Sequence, residues 1–310
     1  MGKASRVKYE TGRQAKIATQ RAAARRAEQR RRLFIAPGSV VVVVAVVVTF
    51  VLVKVNGKSG AAAASSEGPT GAALTSLVNQ VTGVPQSTLD TIGGGSINSG
   101  GVGAGSASNG GASLAPVSGS PLTSGGKPEV LYVGAEYCPY CAAERWSMIV
   151  ALSRFGTFSG LSTTHSSSID TDPNTPTFTF YGSSYASRYV SFTAVEETKN
   201  YQAGGSYVPL QTPTSAEQAL LTRYDTSKSI PFLDIGNSYL QVGDLPGVDP
   251  SILAGLSWSQ IGADLSNPSS PVAQAVDGAA DYLTAAICKL TGNQPATACT
   301  PAVKTLEAKL

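Results

Sequence analysis

A single histidine, His165, serves all 310 residues, alongside four cysteines, two tryptophans and two methionines. Alone it makes a poor metal site, because metal-binding imidazoles work with other donors, and its plain reading is a satisfied structural role. A nucleotide-binding loop is also missing. The glycines at 93–111 have no strand before them and no helix after them. Neither a Gly-X-Y period nor a long repeat is visible, and no cofactor or metal is implied. Charged residues make up only 14% of the chain, and their net +3 describes neither end. Residues 1–32 carry +9, with eleven Lys or Arg against Glu10 and Glu28, whereas residues 59–310 carry −8.

By charge alone the basic head, 1–32, would suit nucleic acid. The adjoining segment argues against that. Residues 33–53 hold no charged side chain across 21 positions. A helix of that length spans roughly 30 Å, the thickness of a bilayer core, and only a helix satisfies a single apolar segment's backbone there. The expectation is a transmembrane helix at 33–53, with a cleaved signal peptide as the rival. Eleven basic residues before it, against Lys54 and Lys58 after it, place the N-terminus in the cytoplasm and the rest outside the cell. The lipid bilayer is then the partner of the head, and nucleic acid is not.

Residues 54–115 read as a Gly/Ala/Ser-rich linker with too little apolar surface to offset the entropy of ordering. Within it, Leu74, Leu77, Val78 and Val81 recur at helical spacing, and Leu89 and Ile92 follow, so 72–92 is a candidate docking segment. The compact domain is expected at 116–310.

The chemistry concentrates at 130–146, VLYVGAEYCPYCAAERW. Val130, Leu131, Tyr132 and Val133 form a continuous apolar run, as in an interior strand covered on both faces. Pro139 suits the first position of a helix, where its missing N–H costs nothing. Cys138 then falls at the helix N-terminus, where unpaired donors and the helix dipole favour a thiolate, and Cys141 lies one turn on as the resolving thiol. The helix should run to about Arg154, with Gly156 beyond it. Glu144 and Arg145 follow Cys141 on roughly its side, so both are candidates for tuning the pair; the alternative is an ordinary salt bridge at the solvent or core edge.

GAEYCPYC at 134–141 resembles the strand-to-helix active-site segment of thioredoxin-fold proteins, and the Pro-Tyr between its cysteines resembles glutaredoxins. CAAERW at 141–146 and GNQPATAC at 292–299 resemble a bacterial and archaeal family of membrane-anchored thioredoxin-like proteins of unknown function, domain of unknown function 929, over roughly residues 72–300. The resemblance implies an α/β fold, a thioredoxin-like sheet flanked by helices with a helical insertion, preceded here by the transmembrane helix and the linker. It implies dithiol exchange, with Cys138 attacking first. It also implies a cis-proline facing the cysteines, best matched by Pro231, with the backbone of Ile230 pairing with an extended substrate. Two departures leave the proton route unassigned. Tyr132 stands six residues before Cys138, where thioredoxins commonly bury a carboxylate, and no histidine separates the cysteines. Glu136 is too close to the motif to replace that acid, although its side chain can reach solvent beside Cys138.

Further strands are expected near 160–166, at 176–181 and at 189–195, the last either continuing the sheet or forming an insert. The run EETKN at 196–200 reads as a solvated patch. A helix is expected at 214–224, with Ser215 and Gln218 as its local cap. Pro231 opens a strand at 232–235 that turns toward 239–242, and 271–290 repeats Val272, Ala275, Val276, Ala279, Leu283, Ala286 and Ile287 near a 3.6 period. Four cysteines allow three pairings. Chain distance favours a reactive Cys138–Cys141 pair and a structural Cys288–Cys299 bridge over a four-cysteine zinc site.

Two functions stand as expectations. One is a membrane-tethered oxidoreductase acting on extracytoplasmic protein thiols or disulfides, served by a separate membrane or soluble redox partner. The other is a non-catalytic envelope scaffold of the same fold, with a static disulfide in the motif.

Overall fold

The computed structural model describes residues 68–99, 114–243 and 248–310. The basic head, the apolar run 33–53 and much of the linker lie outside the described residues. Among those described, no helix is long and apolar enough to cross a membrane.

The architecture is mixed α/β, a mixed sheet flanked by helices. Its central strand is β3 (Lys127–Gly134), numbered after the two-residue strands β1 (Ala115–Pro116) and β2 (Thr123–Ser124). β3 pairs in parallel with β8 (Ser191–Glu196), Gly134 lying opposite Glu196. On its other side it runs antiparallel to β11 (Phe232–Ile235), Val133 lying opposite Phe232. β11 pairs antiparallel with β12 (Tyr239–Val242), β12 with β1, and the start of β3 with β2. The apolar continuity of β3 has its cause in this position. Val130 and Tyr132 join the main core, while Leu131 and Val133 join a smaller core on the opposite face.

On the main face lie α4 (Pro139–Ser153) and α7 (Pro271–Leu290), whose Met148, Leu152, Leu283 and Ile287 enclose a small apolar cavity with Val130, Leu233 and Ile235. Each fully buried Leu or Ile there contributes roughly 1.5–3 kcal/mol. The same core takes Leu77 and Val81 from α1 (Gly71–Thr82) and Leu89 from α2 (Gln86–Ile92). The short α3 (Gly95–Ser99) crosses α7 where two glycines meet: a Cβ on Gly278 would lie 2.9 Å from the Gly95 Cα. The opposite face is covered by α5 (Ser215–Tyr224), which inserts Leu221. Its capping box is Thr214 with Glu217, one residue earlier than the Ser215–Gln218 reading, because the first helical residue is Ser215 itself.

Three ribbons stand off the central sheet. They pair β4 (Gly156–Ser159) with β7 (Ser184–Ser187), β5 (Ser162–His165) with β6 (Pro176–Thr179), and β9 (Thr198–Ala203) with β10 (Ser206–Pro209). The alternation in PTFTFY therefore marks a local ribbon, anchored on α4 where Trp146 Nε1 donates to the Pro176 carbonyl at 2.9 Å. α6 (Trp258–Asp264) is a separate helix after a 3-10 turn at Pro250–Leu253, and α8 (Pro301–Glu307) ends the chain. Cys288 in the last turn of α7 is bonded to Cys299, with Cα atoms 5.7 Å apart.

Candidate functional site

The strand β3 delivers the chain to Ala135, and the turn to α4 closes when the Cys138 N–H donates to the Ala135 carbonyl at 3.3 Å. Cys138 is the N-cap of α4, in an extended backbone conformation, with Pro139 at the first helical position. Its sulfur fills the capping role that an oxygen usually fills, accepting the Cys141 N–H at 3.3 Å. Both thiols are reduced. Cys138 is 5% exposed and Cys141 fully buried, with Tyr140 exposed between them.

This arrangement separates the two sulfurs chemically. The hydrogen bond between the thiols holds Cys138 below the ordinary thiol range against the opposing effect of burial, helped by the Cys141 N–H and the Arg145 guanidinium. Burial pushes Cys141 well up, and the neighbouring Cys138 adds to it. One sulfur is thus the readier to ionise and the other the more firmly protonated.

The Ile230–Pro231 peptide is cis. The Ile230 carbonyl lies 3.9 Å from Cys138 Sγ, so the motif and the start of β11 meet although 92 residues separate them. Of the tuning candidates, Glu136 is partly exposed at the rim, its carboxyl raised by burial and lowered in part by a bond with Thr179. Glu144 and Arg145 part company. Glu144 accepts from Gln241 of β12 at 2.6 Å, whereas Arg145 turns to β8. Both are buried, so the reading as a salt bridge at the solvent or core edge does not hold.

The residue missed by sequence reasoning is Glu196. Placed in a solvated patch by its EETKN context, it is fully buried and bidentate on Arg145, with Nε donating to Oε1 at 2.8 Å and Nη2 to Oε2 at 2.6 Å. Strand parity held the missing signal. Phe192 and Ala194 pack against the main core, and Glu196 continues their spacing of two. Arg145 Nη2 also donates to the Ala135 carbonyl at 2.8 Å, the oxygen that closes the cysteine turn. The Tyr132 ring lies 5.9 Å from the guanidinium carbon, and its buried hydroxyl has no partner in the protein. The position that lacks the usual acid is therefore beside a cation whose counter-ion comes from the next strand.

Outside the motif, Tyr137 stacks on Tyr207 of β10 with ring centroids 4.0 Å apart, and the Glu136 N–H donates to the Thr198 carbonyl at 2.9 Å. The β9–β10 ribbon is in this way tied to the residue preceding Cys138. His165 bonds the Ser166 carbonyl through Nδ1 at 2.7 Å and contacts Asn200.

Residues 113–289 match the family described as Domain of unknown function (DUF929). No curated protein and no solved structure matches the chain.

Proposed function

The chain belongs to the DUF929 family, and on the geometry of its cysteine turn we propose that it is a thiol–disulfide oxidoreductase of thioredoxin-like fold. The observation that carries this reading is the asymmetry of the dithiol: Cys138 at the α4 N-terminus beside Ile230–Pro231, and Cys141 buried one turn deeper. The fold assignment is supported by β3 and β8 running parallel on either side of the α4 crossover, with the antiparallel β11–β12 pair leading toward α7. The charge step around residues 33–53 supports a single-pass anchor with the catalytic unit outside the cytoplasm, acting on protein thiols or disulfides there.

In the reductive direction the Cys138 thiolate attacks a substrate disulfide, forms a mixed disulfide and releases one substrate thiolate. Cys141 then gives up its proton and attacks the Cys138 sulfur, releasing the second thiolate. Two electrons and the Cys141 proton pass to the substrate, whose second thiolate takes its proton from solvent, and the protein is left with Cys138–Cys141 closed. The reverse sequence oxidises a substrate dithiol. Turnover in either direction requires a separate redox partner to reset the pair.

The test is equilibration of the full-length protein with glutathione buffers, scoring Cys138 and Cys141 by alkylation. The expected potential falls between about −120 and −270 mV. A bond that stays closed below about −300 mV would sink the proposal and leave a structural clasp. The scaffold reading has one specific observation in its favour, the 5% exposure of Cys138. A Cys141→Ala variant separates the two: an exchanger accumulates mixed disulfides with reduced and reoxidised polypeptides, and a scaffold does not.

A further inference from the structure

The oxidoreductase reading leaves the direction of electron flow open, and the buried charges beneath the dithiol address it. Arg145 is four residues after Cys141, one turn along the same face of α4. Its guanidinium is anchored to the Ala135 carbonyl, so a single oxygen receives both the cation and the Cys138 N–H. Glu196 neutralises it from one side only, covering Nε and Nη2, while the buried Nη1 has no hydrogen-bonding partner in the protein. The carboxylate is held on β8 opposite Gly134 and is bound further by the Phe180 N–H at 3.3 Å. The pair is thus an oriented dipole fixed in the core. Burial alone would push Arg145 down, but Glu196 holds it well above its ordinary value, so it stays charged.

Resting on the oxidoreductase reading, we propose that Arg145, held in place by Glu196, is a positioning residue that stabilises the reduced dithiol and tilts the site toward oxidising cysteine pairs of substrate polypeptides. The balanced reaction is protein disulfide plus substrate dithiol going to protein dithiol plus substrate disulfide. Two electrons move onto Cys138 and Cys141 with one proton, taken by Cys141, while the second proton of the substrate dithiol goes to solvent and Cys138 is left as the thiolate. A fixed cation favours the side carrying the Cys138 thiolate, and therefore the reduced protein. Besides Arg145, the titratable groups around the pair include Tyr132 of β3, Tyr137 and Glu136 of the turn and Glu144 of α4, which is bonded to Gln241; Glu196 of β8 lies behind the guanidinium. Both tyrosines are raised, with burial as the first cause, and so remain neutral at ordinary pH.

The test uses full-length protein and two substitutions of opposite expected sign. Arg145→Met with Glu196→Leu removes both charges in similar volume, an exchange that buried ion pairs often tolerate. It should raise the pH midpoint for iodoacetamide alkylation of Cys138 by about one unit and make the disulfide about tenfold harder to reduce with glutathione. Glu196→Gln leaves the cation unopposed and should move both readouts the other way. Arg145→Lys, which keeps a cation, should hold the alkylation midpoint near native. Near-ultraviolet circular dichroism confirms folding of each variant. If Glu196→Gln does not fold, the doubly substituted protein and Arg145→Lys decide. An unmoved midpoint in the doubly substituted protein, or shifts of the same sign in it and Glu196→Gln, would overturn the proposal. The alkylation profile needs no turnover, so it judges Arg145 even if the native disulfide refuses exchange with glutathione, which would count against the oxidoreductase reading instead.

Discussion

Helix α4 has one arginine in its middle and another at its C-cap, and the two meet buried carboxylates differently. Arg145 is matched by Glu196 in a bidentate pair with both side chains fully buried. Arg154 donates to Gln86 and to the Ala298 carbonyl, while Asp277 and Asp281 of α7 lie nearby, buried, with both Asp277 oxygens and Asp281 Oδ1 lacking a partner in the protein. Burial pushes Asp277 well up, with Asp281 adding to it, and pushes Asp281 to about 8 although Arg154 pulls the other way. Proximity of opposite charges does not decide ionisation; hydrogen-bond geometry does. Arg145 keeps its charge in the first cluster, and the two aspartates of the second are neutral at acidic pH.

The largest expected effect breaks the first cluster. Arg145→Met alone strands Glu196 in the core, and an uncompensated buried charge costs about 3–5 kcal/mol. Urea unfolding at pH 7 should show that loss. Arg154→Met should cost clearly less, since the bonds it gives up go to an amide and a carbonyl. Equal losses would mean that Asp277 and Asp281 depend on Arg154 as Glu196 depends on Arg145, and the contrast would collapse.

A smaller effect, and a more diagnostic one, is the response to pH. A carboxyl whose folded pKa is raised binds its proton more tightly in the native than in the unfolded chain. The stability it confers is fully present below its unfolded value and is lost as pH rises through the folded one. For Asp281 that window runs from 3.8 to about 8. Asp234, raised to about 6 chiefly by burial, adds to the slope in the lower part of the window. The native protein should therefore lose on the order of a few kcal/mol between pH 4 and pH 8. Asp281→Asn should remove much of that decline and be the more stable protein at pH 8. A native stability that is flat across this range would show the two aspartates ionised within the fold.

The two clusters also differ in how far the sequence foretold them. The cysteine turn was legible because its causes are local: a continuous apolar strand, a proline at the first helical position and two thiols one turn apart. The 3.6-residue period likewise places α7 and α1. Partners are another matter. Arg145 and Glu196 are 51 residues apart, and although the parity of β8 turns Glu196 inward, nothing local names Arg145 as its partner. The three ribbons share that difficulty, because alternation marks a strand but does not name its neighbour. Asp277 and Asp281 sit within a helix whose apolar positions are plain, and their burial comes from elements packed on α7 that the helix's own sequence does not name.

That crossing allows a gentler test of what makes the second cluster neutral. At Gly278 an added methyl would meet the Gly95 Cα at 2.9 Å, backbone against backbone, so α3 and α7 must separate slightly. Gly278→Ala gains helix propensity but loses packing, and the net cost is expected to be about 1–2 kcal/mol at pH 5. Separation admits water to the aspartates and should lower Asp281 toward its ordinary value, because desolvation is the first cause of its shift. The variant should therefore be less stable than native at pH 5 yet show a shallower decline toward pH 8. Arg145 and Glu196 are not part of this crossing, so the alkylation profile of Cys138 should stay native. A loss at pH 5 with an unchanged slope would place the cause in the neighbouring Asp90 carboxylate, and not in the cover that α3 provides.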